Sequence, residues 1–266
     1  MSRQQPTVIH LTGNPNSGKT TLFNRLTGAR QGVGNYPGVT VETVEGTMVR
    51  NGKKYRIVDL PGTYSLAAHS GEESVTGAML LNHRADLVVD VVDAANLERG
   101  LYLALQLREL GVPLVILCNK WDLVKGHMID CTLLSSLLGV PCLPVVGETG
   151  EGVEALFRLL EAGLPAVGSP LAFDPEIEEE LEKIRTLPAL REENLPVAAR
   201  WASIRLLEDG STALDELFPG VFRFSPADIA RTERSREHIR RVFGDDPHIV
   251  LTGNRYGQLR GILKDV

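Results

Sequence analysis

Gly13-Asn14-Pro15-Asn16-Ser17-Gly18-Lys19-Thr20 decides the reading of this sequence. The octet satisfies G-x-x-x-x-G-K-[ST]. It stands between an apolar run, Val8-Ile9-His10-Leu11, and a helical pattern over 20–26. A strand that breaks into glycines and then into a helix is the setting in which this pattern has a mechanism. The glycines let successive backbone N–H groups turn toward phosphate oxygens, and the helix aims its positive end at the same place. Gly13, Asn14, Asn16, Ser17, Gly18, Lys19, Thr20 and Thr21 are therefore candidate nucleotide-binding residues. Lys19 can reach β- and γ-phosphates, and the Thr20 hydroxyl can ligate Mg²⁺.

Outward from the octet, short apolar runs alternate with helical patterns. Runs at 87–92, 114–118 and 142–146 read as strands, and 101–110, 133–138 and 153–160 as helices. Asn51-Gly52, flanked by 47–49 and 55–58, signals a hairpin. The expected fold is α/β: a P-loop NTPase with a mostly parallel sheet flanked by helices and one antiparallel hairpin strand at an edge. This domain spans 1–165. Pro165, Gly168 and Pro170 then read as a linker, and 170–266 as a small all-α domain. Three of its helices are expected to start at Asp174-Pro175, Ser225-Pro226 and Asp246-Pro247, each a capping side chain followed by a proline that lacks the donor the first turn cannot use.

Composition narrows the function. The chain has 266 residues, 43% hydrophobic and 23% charged, an ordinary soluble globular balance. With 28 Lys+Arg against 34 Asp+Glu the net charge is −6, which argues against a nucleic-acid partner. Cys118, Cys131 and Cys142 are too few and too irregular for a disulfide framework or a CxxC zinc site, so a reducing, cytosolic compartment is expected. No apolar run approaches the roughly 20 residues of a bilayer span, so the chain alone should be soluble. Arg231, Arg234, Arg236, Arg240 and Arg241, with Glu233 and Glu237 interleaved, read as a salt-laced helix face.

Three more motifs follow the octet. Asp59-Leu60-Pro61-Gly62 closes an apolar strand; Asp59 can hold Mg²⁺ through water, and the Gly62 N–H can bond a γ-phosphate. Thr40, in Pro37-Gly38-Val39-Thr40, can give Mg²⁺ a second hydroxyl when the γ-phosphate is present, and Gly38 joins it as a nucleotide-loop candidate. Asn119-Lys120-Trp121-Asp122 follows the strand at 114–118. The Asp122 carboxylate can accept from both N1–H and the 2-amino group of guanine. Adenine offers neither donor, so a site built around that bond rejects it. Lys120 can lie over the base and Asn119 can bridge to the phosphate loop. Gly147 and Glu148 fill the last guanine loop, where backbone N–H groups can meet O6. The expected ligands are GTP and GDP with Mg²⁺, and the expected activity is GTP hydrolysis.

Taken together, 13–24, 34–42 and 59–66, with the end from Arg255-Tyr256-Gly257 through Asp265-Val266, resemble the cytosolic N-terminal region of the bacterial ferrous-iron transport B family. The resemblance covers essentially the whole chain. It implies a G domain and a helical domain that slows GDP loss, serving a membrane domain of the same polypeptide that passes Fe²⁺, at the cytoplasmic face of the inner membrane. It leaves a homo-oligomer open. Many GTPases carry glutamine after D-x-x-G; here Thr63 is too short to orient water, so turnover should be slow. The resemblance supplies K⁺ as the missing positive charge, held by the Asn16 side chain and the backbone carbonyls of Gly34 and Tyr36. It thereby puts Asn16 beside Lys19, Thr40 and Gly62 in the catalytic set. The rival reading is a soluble GTPase of ribosome assembly or tRNA modification.

Overall fold

The computed structural model describes residues 5–28, 31–34, 43–66, 76–77, 79–81, 85–124, 129–191 and 195–266. Gly38, Tyr36 and Thr40 lie outside the described residues. Contacts divide the chain into two units: Met1–Arg108 with Val112–Ser169 and Ile262–Val266, and Glu109–Gly111 with Pro170–Gly261.

The first unit is built on a seven-stranded sheet, with strands β1 (Thr7–Gly13), β2 (Gln31–Gly34), β3 (Thr43–Arg50), β4 (Lys53–Asp59), β5 (Leu87–Asp93), β6 (Leu114–Asn119) and β7 (Cys142–Pro144). Their order is β2-β3-β4-β1-β5-β6-β7. From β4 to β7 all neighbours are parallel, and β3 is antiparallel to both β2 and β4. The antiparallel strand is therefore not at the edge, as expected from the sequence, but one place in from it. The edge strand Gln-Gly-Val-Gly carries one apolar side chain and no alternation, so its status comes from pairing with β3, Gln31 opposite Gly46 and Gly34 opposite Thr43. The hairpin itself forms where Asn51-Gly52 announces it. Both residues take positive φ, 47° and 76°, which matches the twist of the strands they join.

Helices α1 (Lys19–Thr27), α2 (Leu97–Leu110), α3 (Cys131–Leu138) and α4 (Val153–Ala162) accompany the sheet. β6 is buried along its whole length, the pattern of a parallel strand covered on both faces. One face packs Ile9, Leu11, Val89, Val91, Val115 and Leu117 against Leu22, Phe23 and Leu26 of α1 and Val153, Leu156 and Leu160 of α4. On α4 these recur at i, i+3 and i+7, one helical stripe. On the other face α2 comes close enough that a Cβ on Gly100 would stand 2.3 Å from Val92 Cγ1. α3 starts two residues earlier than the apolar pattern suggests because Asp130 accepts from Thr132 N and Leu133 N.

The second unit is helical among its described residues: α5 (Pro175–Arg185), α6 (Ala199–Asp209), α7 (Ser211–Leu217), α8 (Pro226–Phe243) and α9 (Pro247–Asp265). All three proline starts are observed. Asp174 Oδ1 accepts from Glu176 N, Ser225 and Asp228 form a reciprocal capping box, and Asp246 Oδ1 accepts from His248 N. Each cap stabilises its helix by about 1 kcal/mol. The basic run on α8 is laced with acids, Arg236 to Glu233 and Arg240 to Glu237 at 3.5 Å each, and Arg236 also donates to the Leu207 carbonyl. Among the described residues no helix is long and apolar enough to cross a membrane.

Candidate functional site

The motif residues sit beyond the carboxyl ends of adjacent parallel strands, where open α/β sheets place their ligands. β1 runs into the phosphate loop. Its turns need backbone that few residues adopt: Gly13 φ 147°, Asn16 φ 66° and Gly18 φ 87°. A side chain at Gly13 would place its Cβ 2.3 Å from the Val91 carbonyl oxygen, and one at Gly18 would meet Asn119 Nδ2 at 2.2 Å. Two buried polar atoms in this loop, Ser17 Oγ and Asn14 Oδ1, have no hydrogen-bond partner. Buried polar atoms are normally paired, so such a cradle fits a polar ligand. Asn14 Nδ2 donates to the Arg99 carbonyl at 3.0 Å, and the Arg99 guanidinium lies 4.0 Å over the Tyr64 ring.

The end of β4 faces this loop. Lys19 Nζ and the Asp59 carboxylate form an ion pair, both largely buried. Burial pushes the Asp59 carboxyl up from its usual range, and Lys19 pulls it part of the way back. Thr20 and Thr21 are exposed at the start of α1. Gly62 lies against the loop, where an added Cβ would come 3.2 Å from Pro15 N. Thr63 is fully buried; its N–H donates to the Gly13 carbonyl and its hydroxyl to the Ser65 carbonyl at 2.7 Å. That side chain is turned into the protein.

Asn119 ties the two halves of the site together. Its Nδ2 donates to the Ser17 carbonyl and its Oδ1 accepts from Gly147 N, both at 2.8 Å. One side chain at the end of β6 thus fixes the phosphate loop against the last loop. Lys120, in the left-handed region at φ 58°, donates to the Asn16 carbonyl at 2.8 Å and to Asp93 Oδ2 at 2.7 Å. Asp122 is exposed beside it. Gly147 and Glu148 offer their carbonyls to Arg25 of α1, Gly147 at 2.8 Å. Arg25 and Asp93 are parts of the arrangement that sequence reasoning missed. No motif marks Arg25, whose partners lie more than a hundred positions away. Asp93 had a signal: a strand-end acid one strand from Lys120, which needs a fixed anionic partner.

Among the described residues no group of three or more His, Cys, Asp or Glu side chains could hold a metal ion. A hydroxyl and one carboxylate, Thr20 and Asp59, still suit Mg²⁺, which takes hard oxygen donors and keeps most of its water and phosphate ligands. Of the K⁺ ligands implied by resemblance, the Asn16 side chain is exposed, Gly34 ends β2, and Tyr36 lies outside the described residues.

A parallel sheet with this cradle, D-x-x-G and N-K-x-D at one edge defines a P-loop protein of the G-domain class. Residues 7–160 match the family described as Ferrous iron transport protein B, and residues 173–266 match the FeoB cytosolic helical domain. The chain belongs to the ferrous iron transport protein B (FeoB) family, as its N-terminal cytosolic region. It is 41% identical to the Fe(2+) transport protein A/Fe(2+) transporter FeoB fusion protein of Porphyromonas gingivalis over 97% of this chain and 32% of that protein. With the Fe(2+) transporter FeoB of Escherichia coli K12 the identity is 50% over 76% of this chain and 27% of the relative. The chain thus spans about a third or less of the curated relatives it matches. A solved S. thermophilus NFeoB point mutant bound to mGDP superposes with a TM-score of 0.87 at 34% identity, covering 98% of this chain and 99% of that one. The apo cytosolic domain of T. maritima FeoB gives 0.79 at 30% identity, covering 98% and 99%.

Proposed function

We propose that this chain is the GTP-binding and GTP-hydrolysing switch region of a prokaryotic ferrous-iron uptake transporter. The observation that carries the reading is the pair of hydrogen bonds made by the Asn119 side chain, one donated to the Ser17 carbonyl of the phosphate loop and one accepted from Gly147 N of the last loop, which sets the phosphate and base halves in one frame. The amides of 13–19 cradle the phosphates. The Lys19 ammonium moves from Asp59 toward the β- and γ-oxygens and frees that carboxylate. Asp122 accepts from guanine N1–H and the 2-amino group. Gly62 N–H and the Thr40 hydroxyl sense the γ-phosphate, with Gly38 in the same loop.

Thr20, Thr40 and, through water, Asp59 would hold Mg²⁺, which supplies positive charge to the phosphate oxygens. Asn16, Gly34 and Tyr36 would hold K⁺, which supplies the charge that a catalytic arginine gives elsewhere. With Thr63 turned inward to Ser65, no side chain at that position orients the attacking water, so intrinsic turnover is slow. The reading places the chain at the cytoplasmic face of the bacterial inner membrane, working on a membrane transport domain of the same polypeptide that carries Fe²⁺ as cargo.

Phosphate release at saturating GTP tests both levels. Release in K⁺ should exceed release in Na⁺ by about tenfold or more, since a well-placed charge at the γ-phosphate lowers the barrier by more than about 1.4 kcal/mol. Asn16→Ala should remove the difference while GDP still binds. Equal rates in both salts would reject the potassium assignment, and no release in either would reject hydrolysis.

A further inference from the structure

The loop after β7 closes on itself. Val146 N donates to the Glu151 carbonyl at 2.9 Å, and Gly150 N donates to the Val146 carbonyl at 2.7 Å. Gly147 N is spent on Asn119 Oδ1. Among the described residues the N–H groups of Glu148 and Thr149 have no acceptor.

The carbonyls of the same stretch are held from outside. Arg25 lies in the last turn of α1. Its Nε donates to the Gly147 carbonyl at 2.8 Å, and its Nη2 donates to the Glu148 carbonyl. Arg25 is exposed, so its position is not a by-product of core packing. The guanidinium has room because residue 150 is glycine. A Cβ there would stand 2.8 Å from Arg25 Nη1 and 3.1 Å from its Cδ.

A trans peptide unit is planar, with its C=O and N–H pointing to opposite sides. The Gly147 carbonyl and the Glu148 N–H share one such unit. The Glu148 carbonyl and the Thr149 N–H share the next. A fork that holds both carbonyls therefore turns both free N–H groups away from Arg25. We propose that Arg25 is a positioning residue of the guanine site, presenting the Glu148 and Thr149 N–H groups to guanine O6 and so setting how long GDP stays bound. This role rests on the guanine site proposed above. One rigid guanidinium fixes two successive units at once, which an ammonium cannot match. The loop's stem has separate ties, the Val146–Glu151 bridge and Asn119. Loss of Arg25 therefore frees the orientation of two peptide units and leaves the loop in place. α1 also begins at Lys19, so the helix that meets the phosphates at one end carries this clamp at the other.

The test is stopped-flow release of mant-GDP from the full chain into excess GDP, with parallel titrations of GDP and 6-thio-GDP, for the parent, Arg25→Ala and Arg25→Lys. The thio compound keeps the N1–H and 2-amino group that Asp122 reads and replaces O6 by sulfur, a weak acceptor. The parent should hold GDP tighter than 6-thio-GDP by about threefold or more. Arg25→Ala should release mant-GDP faster by about fivefold or more and bring the two affinities together. Arg25→Lys keeps the charge and the stem without the fork, and should resemble Arg25→Ala. Unchanged release, or faster release with the parent's preference for GDP retained, would overturn the positioning role. A lysine variant that matches the parent would overturn the two-carbonyl grip. A parent that holds both nucleotides alike would overturn the O6 contact, and a parent that binds neither would sink the guanine site itself.

Discussion

Replacing Arg255 by alanine is expected to destabilise the helical unit by about 3–5 kcal/mol. Arg255 projects from α9 and is 1% exposed. Its guanidinium grips Glu109 with Nε at 2.8 Å and Nη2 at 2.9 Å, and Nη1 reaches Glu208 at 2.5 Å. Both acids are buried as well. Burial drives the Glu109 carboxyl up even against Arg255. At Glu208 burial also pushes upward, but Arg255 and Arg205 outweigh it and bring the carboxyl down. Alanine would leave two carboxylates facing each other without their shared cation. The unit could relieve this only by protonating one or admitting water. Urea unfolding followed through Trp201, with Trp121 changed to phenylalanine, reads the unit containing Trp201. A loss below about 1 kcal/mol would show that the triad is not the anchor described. Replacing all three residues together with apolar ones should cost far less, because no charge is then left buried alone.

Asp90→Asn is expected to stabilise the G-domain unit in alkaline solution, by up to about 5 kcal/mol above about pH 8. Asp90 lies in the middle of β5, fully buried, opposite Thr12 of β1 and Ile116 of β6, and neither carboxylate oxygen has a hydrogen-bond partner. Burial pushes its pKa from 3.8 up to about 8. The sign follows from which state holds the proton. Between those two values the folded chain keeps it and the unfolded chain has released it. Stability is therefore full in acid and falls as pH rises toward the folded value. Asparagine keeps the shape and carries no charge to bury. Melting temperatures of the two proteins across that interval should diverge as pH rises. Parallel curves would contradict the account of Asp90.

Local chemistry and its spacing carried most of the sequence reading. Asn51-Gly52 places the hairpin because only certain residues accept its φ values, and the three proline starts place helices because caps are written in adjacent residues. The gathering of the phosphate loop, Asp59-Gly62 and Asn119-Asp122 follows from each motif ending a parallel strand. What stayed hidden depends on contacts between distant positions. β2 has no pattern of its own and is a strand through β3. Arg25 reaches Gly147 and Arg255 reaches Glu109, each across about a hundred positions or more. Arg255 looked like part of an end segment; its burial reads from the helix packing and not from the residues beside it.

Calorimetric titration of the reduced chain with GDP and with ADP, in Mg²⁺, is the most direct test of the central claim. The account predicts that GDP binds and ADP does not measurably do so, and that Asp122→Asn weakens GDP by about 2–3 kcal/mol through loss of charged hydrogen bonds to the base. ADP held as tightly as GDP, or GDP affinity untouched by Asp122→Asn, would contradict it.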